Sequence, residues 1–416
     1  MIAQLPTVCQ IRRLAALLIS AGMRDNRGMF PISPTISILG HAYSRHGDRL
    51  FGIRQPDRLL HTYVVGQTGT GKSTLIQNLA MQDYRAGRGW CVIDPHGDLA
   101  EALAATCHKA IYWNVADPAS EYGYNPLTRT SPRLRPLVTS GLIEALKKQW
   151  ADAWGVRMEH LLRHAVLALL DVPATDLRDI PRMFLDRAFR LEILSYVTDP
   201  QVRQFWTEEY PNMNYKNASD GFAPIANKLG AFLSHPVVRT ALCEPAQPLR
   251  FRHLMDTGQG LVINLAKGRL GADIANVLGG LLVSNITHAA FSRHDIAEAR
   301  RRPFFLYVDE FHSFTTEAVA DLLSETRKYG LGIVMSQQHT GQNADPVFAS
   351  ILGNVGTMIC FRVGATDAPI LSAQLGHVAG QDLVTLPNYQ AFVRMMLDQA
   401  PSRAFSMRTL PKLCTG

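Results

Sequence analysis

From residue 60 onward, short apolar runs alternate with stretches of helical periodicity. Runs at 61–65, 90–93, 110–115, 260–265, 304–309, 331–335 and 358–361 are rich in β-branched and aromatic residues. Without polar alternation, they read as strands buried on both faces, as in a parallel sheet. Two further strands are predicted near 391–396 and 404–407. Between them, apolar residues at 75, 76, 79 and 80 mark a helix starting at 73. Helices are also expected at 271–291, 316–329 and 368–375. Strands and helices in this order make a doubly wound α/β sheet.

The pattern changes between about 137 and 254. Here the periodicity is helical at 161–170, 183–196 and 202–206, and no convincing buried strand occurs. The stretch therefore reads as an all-α domain inserted into the sheet. Residues 1–55 are irregular, with a Pro-rich turn at Pro31-Ile32-Ser33-Pro34 and a strand predicted at 36–39.

The candidate chemistry begins where the first of these strands meets its helix. Gly66-Gln67-Thr68-Gly69-Thr70-Gly71-Lys72-Ser73 is a complete phosphate-binding (Walker A) loop, followed by Thr74. Gly66, Gly69 and Gly71 allow the backbone to wrap around a phosphate, so that its N–H groups and the helix N-terminus face the anion. Lys72 then reaches the β- and γ-phosphates, and the Ser73 hydroxyl sits on Mg²⁺. The ligand read from this loop is a nucleoside triphosphate with Mg²⁺.

An acidic counterpart lies over two hundred residues downstream, where Phe304-Phe305-Leu306-Tyr307-Val308 ends in Asp309-Glu310. Asp309 is placed to hold the metal through water, and Glu310 to polarise the attacking water. Gln338, or failing it Gln337, ends the neighbouring strand and is placed to sense the γ-phosphate. Arg327 or Lys328, at a predicted helix end, can reach a nucleotide in another subunit; the same position equally suits a cation that merely complements a helix C-terminus. Arg362 is a rival finger. In Asp94-Pro95-His96-Gly97-Asp98, Asp94 is a candidate for the magnesium second shell and His96 for facing the phosphates, although a simple turn explains the run as well.

The domain boundaries that follow are 1–55 for an N-terminal extension, 56–130 and 256–416 for the two parts of a nucleotide-binding domain, and 131–255 for the helical insertion. Composition adds little to this. The chain has 416 residues, 47% of them hydrophobic, which is ample for two or three domains. A net charge of +7 suits a polyanionic partner, and a solvated basic surface accounts for it equally. Six scattered cysteines without a C-x-x-C pair point to reduced, cytoplasmic usage. No stretch reads as an apolar span of about 18 residues, and Leu14 to Ala21 is too short to be one.

The ordered set of Gly66–Thr74, Asp94-Pro95-His96-Gly97-Asp98-Leu99, Val308-Asp309-Glu310-Phe311, Arg327-Lys328-Tyr329-Gly330-Leu331 and Gln337-Gln338 resembles the HerA/FtsK superfamily of ring motors. It is most similar to the coupling-protein ATPases of type IV secretion and conjugation, over roughly residue 40 to the C-terminus. The resemblance implies a RecA-like P-loop NTPase interrupted by an all-α domain, a homo-hexamer with ATP sites at subunit interfaces, and movement of DNA. It further places Arg327 at the finger position and Gln338 at the sensor glutamine. Type IV secretion or relaxosome components are the implied partners. Coupling proteins usually carry N-terminal transmembrane helices, and none is read here. The expected location is therefore cytoplasmic, with docking at the inner membrane through another component. A cytosolic HerA-like DNA-processing helicase and a secretion energiser acting on protein are the alternatives.

Overall fold

The computed structural model describes residues 33–43, 48–213, 215–316, 323–342, 345–397 and 400–413. The chain divides into two compact units. The first comprises the described parts of 1–112, 253–264 and 293–416, and the second comprises 113–252 and 265–292. Helix Ala272–Phe291, placed by the sequence reading in the nucleotide-binding half, groups with the helical unit, which also starts earlier than residue 131.

The first unit is built on an eleven-stranded sheet. In chain order its strands are β1 (Ile36–Ala42), β2 (Arg49–Arg54), β3 (Thr62–Val65), β4 (Gly89–Asp94), β5 (Ile111–Asn114), β6 (Gly260–Asn264), β7 (Phe304–Val308), β8 (Leu331–Gln337), β9 (Thr357–Cys360), β10 (Gln390–Arg394) and β11 (Phe405–Thr409). Their spatial order is β2-β1-β11-β10-β9-β3-β8-β7-β4-β6-β5. From β9 across to β6 the observed pairings are parallel, with β3 between β8 and β9. Every residue of β3, β4, β6, β7, β8 and β9 is buried, as unbroken apolar runs require.

Beyond β9 the sheet turns antiparallel, through β10, β11 and the β1–β2 hairpin. The doubly wound order expected from the sequence thus ends at β9. Strand β2 was not read in advance, because Arg49-Leu50-Phe51-Gly52-Ile53-Arg54 is short and bounded by arginines. Gly52 allows close pairing there: an added Cβ would lie 2.4 Å from the Ser37 carbonyl oxygen.

Beneath the sheet, a buried polar cluster ties three elements together. The Arg58 guanidinium donates to both Asp83 carboxylate oxygens (2.8 Å each), to the Tyr307 hydroxyl at 2.7 Å and to Ser37 at 2.8 Å. It also lies 3.5 Å from the centroid of the Phe305 ring. Asp83 belongs to helix Lys72–Arg85, Tyr307 and Phe305 to β7, and Ser37 to β1.

The second unit is helical, apart from the last two residues of β5 and a two-residue pairing of 122–123 with 247–248. Its main helices are Arg135–Gln149, Val156–Leu169, Arg187–Tyr196, Tyr215–Ser234, Pro236–Cys243 and Ala272–Phe291. Contrary to the expectation of no such stretch, one helix, Ala272–Asp295, is long and apolar enough to cross a membrane by length and composition. Of its most apolar window, 78% is buried, as in a core helix. The segment 14–21 and the 317–322 part of the helix expected at 316–329 lie outside the described residues. The described end of that helix, Arg327–Tyr329, is a single 3-10 turn.

Candidate functional site

The phosphate loop leaves β3 at the C-terminal edge of the parallel sheet, where open α/β sheets bind ligands. Its root is pinned on both sides: Gly66 N–H donates to the Gln337 carbonyl (3.3 Å), and Gln67 N–H to that of Arg362 (2.8 Å). The Thr70 hydroxyl closes the turn onto the Gln67 carbonyl at 2.7 Å. Gly69 and Gly71 have φ of +76° and +120°, a region that strains any other residue. At Gly71 an added Cβ would also lie 3.1 Å from Tyr389 Cδ1. Helix Lys72–Arg85 then starts, with the Ser73 side chain exposed and Thr74 buried.

Lys72 folds back on its own loop, its ammonium donating to the carbonyls of Gly66 and Gln67. Burial lowers its pKa, against the opposing pull of Asp309 and Glu310. Asp309 follows β7, its N–H bonded to the Ile93 carbonyl of β4 at 3.2 Å. Burial raises the Asp309 pKa, and the neighbouring Glu310 and Asp94 charges add to the rise. Both effects favour the arrival of positive charge beside Asp309.

Glu310 has φ +49° and ψ +45°, a left-handed conformation unusual for a non-glycine residue. Its carboxylate accepts from Gln338 Nε2 at 2.7 Å, and Gln338 Oε1 accepts from the Thr68 hydroxyl at 3.0 Å. Gln338 therefore bridges the phosphate loop and the acidic strand end. Gln337, the second choice, is fully buried and donates to the His339 carbonyl at 2.9 Å. His312 Nδ1 lies 3.4 Å from the other Glu310 oxygen.

Asp94 is 1% exposed and lines the same cleft. Its two oxygens accept from the backbone N–H groups of His96 and Ala100, both at 2.9 Å, so it clamps the turn into helix Asp98–Ala104. His96 is exposed at the rim. Arg362 sits beside the loop, donating to Gln67 Oε1 (3.3 Å) and the Leu386 carbonyl (3.1 Å). Arg327 is exposed in the turn before β8. A seven-residue strand, about 23 Å long, separates it from Gln338. The structure thus groups Lys72, Ser73, Asp94, Asp309, Glu310 and Gln338 around one cleft of about 470 Å³, and leaves Arg327 and Lys328 at the opposite edge of the sheet.

Tyr389 and Lys412 line the cleft although no sequence motif marks them. Tyr389 lines it from a positive-φ turn (+65°), its N–H bonded to the Thr70 carbonyl at 2.7 Å. Lys412 lines it from the C-terminal segment. Only the antiparallel extension brings them to the loop.

Among the described residues, no three His, Cys, Asp or Glu side chains converge as a metal cage. The donor set here is oxygen alone, from Ser73 and Asp309. It suits Mg²⁺, which takes one or two protein ligands and completes its shell with water and phosphate oxygens.

No family model matches the chain, and no curated protein does. Solved structures do. The unbound monoclinic form of the bacterial conjugative coupling protein TrwBdeltaN70 superposes with a TM-score of 0.64 at 18% identity, covering 92% of this chain and 90% of that one. Plasmid coupling protein TrwB in complex with ADP and Mg²⁺ gives 0.62 at 19%, covering 88% of each chain. VirB4 of Thermoanaerobacter pseudethanolicus gives 0.64 at 14%, covering 94% of this chain and 98% of that one. At such identities the likeness speaks for the fold. This chain has the RecA-like P-loop NTPase fold with a mainly parallel sheet, as those structures do.

Proposed function

We propose that the protein is an ATP-hydrolysing motor that moves DNA in type IV secretion, with Mg²⁺ as cofactor and its sites completed at the subunit interfaces of a hexameric ring. The observation that carries this reading is the bridge from Thr68 through Gln338 to Glu310, which joins the phosphate loop to a carboxylate placed for water activation. Lys72, released from the loop carbonyls, neutralises the β- and γ-phosphates. Ser73 directly, and Asp309 through water, would hold the metal, which would supply charge neutralisation on the phosphate oxygens. Glu310 takes the proton of the attacking water, and Gln338 orients that water or the γ-phosphate.

Within one chain this cleft has Lys72 and Lys412 but, among the described residues, no arginine in its lining, and Arg327 lies exposed at the other sheet edge. A neighbouring subunit that presents its Arg327 supplies the missing cation. The TrwB structures with ADP and Mg²⁺ or with an ATP analogue support the choice of nucleotide and metal. Secretion and DNA as cargo rest on the coupling-protein likeness. They imply work at the cytoplasmic face of the inner membrane, beside secretion or relaxosome components.

ATP turnover measured with and without single- and double-stranded DNA tests the cargo. Absence of stimulation together with absence of salt-sensitive DNA binding refutes a DNA motor. Mixing Arg327→Ala with Glu310→Gln subunits tests the shared site: turnover is expected to recover in part at mixed interfaces. No recovery in rings shown to be mixed refutes the trans role of Arg327.

A further inference from the structure

A second cavity, of about 490 Å³, adjoins the phosphate-loop cleft within the first unit. His41, Thr74, Tyr389, Arg408, Pro411 and Lys412 are in its lining, and Thr74, Tyr389 and Lys412 line both spaces. Its volume lies within the range of about 300–1,000 Å³ that small-molecule sites occupy. The phosphate chemistry does not use it.

The sheet order decides which end of a nucleotide would face this cavity. On one side of β3 stand β8 and β7, whose ends lead to Gln338, Asp309 and Glu310. On the other stand β9, β10 and β11; Tyr389 directly precedes β10, and Lys412 follows β11. The γ-phosphate has to face Glu310 and Gln338, where the water attacks. The α-phosphate then lies at the start of helix Lys72–Arg85, whose first N–H groups have no partner within the helix. The nucleoside beyond it is directed away from Glu310, past Thr74 and towards Tyr389.

Tyr389 is 48% exposed and holds a left-handed conformation (φ +65°), an outlier for a bulky residue. Two hydrogen bonds keep it there: its N–H donates to the Thr70 carbonyl at 2.7 Å, and its carbonyl accepts from Thr409 N–H at 2.9 Å. Its ring lies against the loop, since a Cβ added at Gly71 would be 3.1 Å from Cδ1. Core packing does not account for a ring left half in water. Backbone outliers of this kind gather at ligand clamps, and an open aromatic face beside a nucleotide loop suits a nucleobase.

We propose that Tyr389 stacks on the base of bound ATP and that the second cavity receives the nucleoside. This rests on the reading of the phosphate loop as an ATP site, and adds the residue that holds the other end of the molecule.

The test photolabels the full chain with 2-azido-ATP and Mg²⁺, the reactive group being on the base, and maps the label that excess ATP displaces. It is expected in peptides carrying Tyr389 or residues 408–412. A titration with a non-hydrolysable ATP analogue accompanies it. Tyr389→Asn removes the ring, and asparagine tolerates the positive φ, so the loop keeps its partner. It should weaken binding roughly 5–150-fold, the range of base–aromatic stacking, whereas Tyr389→Phe should bind as the unaltered chain does. Displaceable label confined to residues 96–102, at the opposite end of the cleft, overturns the proposal even if Tyr389→Asn binds weakly, because the tyrosine then only shapes the loop. Unchanged affinity in Tyr389→Asn overturns it as well. Failure of the underlying reading looks different: the unaltered chain would bind no ATP analogue, or Lys72→Ala would bind it equally well.

Discussion

Replacing Arg58 by methionine removes the guanidinium that joins the phosphate-loop helix, β7 and β1. The Arg58 side chain is 2% exposed and Asp83 is fully buried, so no water replaces the lost donors. Breaking a buried pair from one side costs about 3–5 kcal/mol. Arg88, whose Nε lies 2.6 Å from the same carboxylate, still partners Asp83, so the lower figure applies. A loss of about 3 kcal/mol lowers hydrogen-exchange protection in peptides from 72–85 and 304–308 by roughly 150-fold, reading the first unit alone.

The pH dependence carries a sign of its own. In the native protein burial alone would raise Asp83, but the Arg58 charge and hydrogen bonds outweigh it and the pKa is lowered. Its stabilising contribution is therefore complete above the unfolded carboxylate value of about 3.9 and is lost only as pH falls through the lower folded value. Without Arg58 the largest influence opposing burial is lost and only Arg88 and Tyr307 still oppose it, so the folded pKa rises and the variant gains by protonation as pH falls from 7 towards 4. The deficit should shrink over that interval, after correction for intrinsic exchange rates. An equal deficit at pH 7 and pH 5, or no deficit at all, refutes the claim that a charge pair holds these elements together. Adding Asp83→Leu to Arg58→Met should recover much of the loss.

Lys72→Ala should abolish ATP binding or turnover, measured by nucleotide titration and phosphate release. Glu310→Gln should keep binding while turnover falls by about 10²–10⁴-fold; normal turnover would show that Glu310 is not the water-activating group. Gln338→Ala, by cutting the bridge to Thr68, should lower kcat by about 10²-fold with ATP affinity kept within a few-fold. His61, buried and lowered to about 4, accepts from Ile333 N–H (3.1 Å) and donates to the Leu323 carbonyl (2.7 Å). Between pH 6.5 and 4 the unfolded chain protonates this histidine and the folded chain does not. Stability should therefore drop by roughly 3 kcal/mol as pH falls across that window, and His61→Gln should remove this part of the slope in a denaturation series.

The central sheet was legible because full burial writes itself as unbroken apolar runs: β3, β4, β6, β7, β8 and β9 all coincide with one. The antiparallel extension was less so. Strand β2 is short and arginine-flanked, and pairing direction leaves no mark in a run such as 391–396. At the site, Lys72, Ser73, Asp309, Glu310 and Gln338 share the cleft because each closes or follows a parallel strand, and parallel strands end on one edge. Tyr389 and Lys412 reach that cleft only through the fold-back of the last two strands, which no local spacing encodes. The membership of helix Ala272–Phe291 was illegible for a related reason: an apolar helix after a strand looks alike whether it covers that sheet or fills another core.

The strand that carries the phosphate loop has a consequence for how the chain is made. Its two sheet neighbours are β8, starting at Leu331, and β9, starting at Thr357, so Thr62–Val65 leaves the ribosome more than 260 residues before either partner exists. At about 5–20 residues per second that is a wait of roughly 13–53 s. Throughout it an apolar strand has open hydrogen-bonding edges on both sides, the feature that invites wrong pairing. Of the sheet's strands, the one that carries the fuel site thus waits longest for its first partner, and the nascent chain stays open to wrong pairing at residues its chemistry needs.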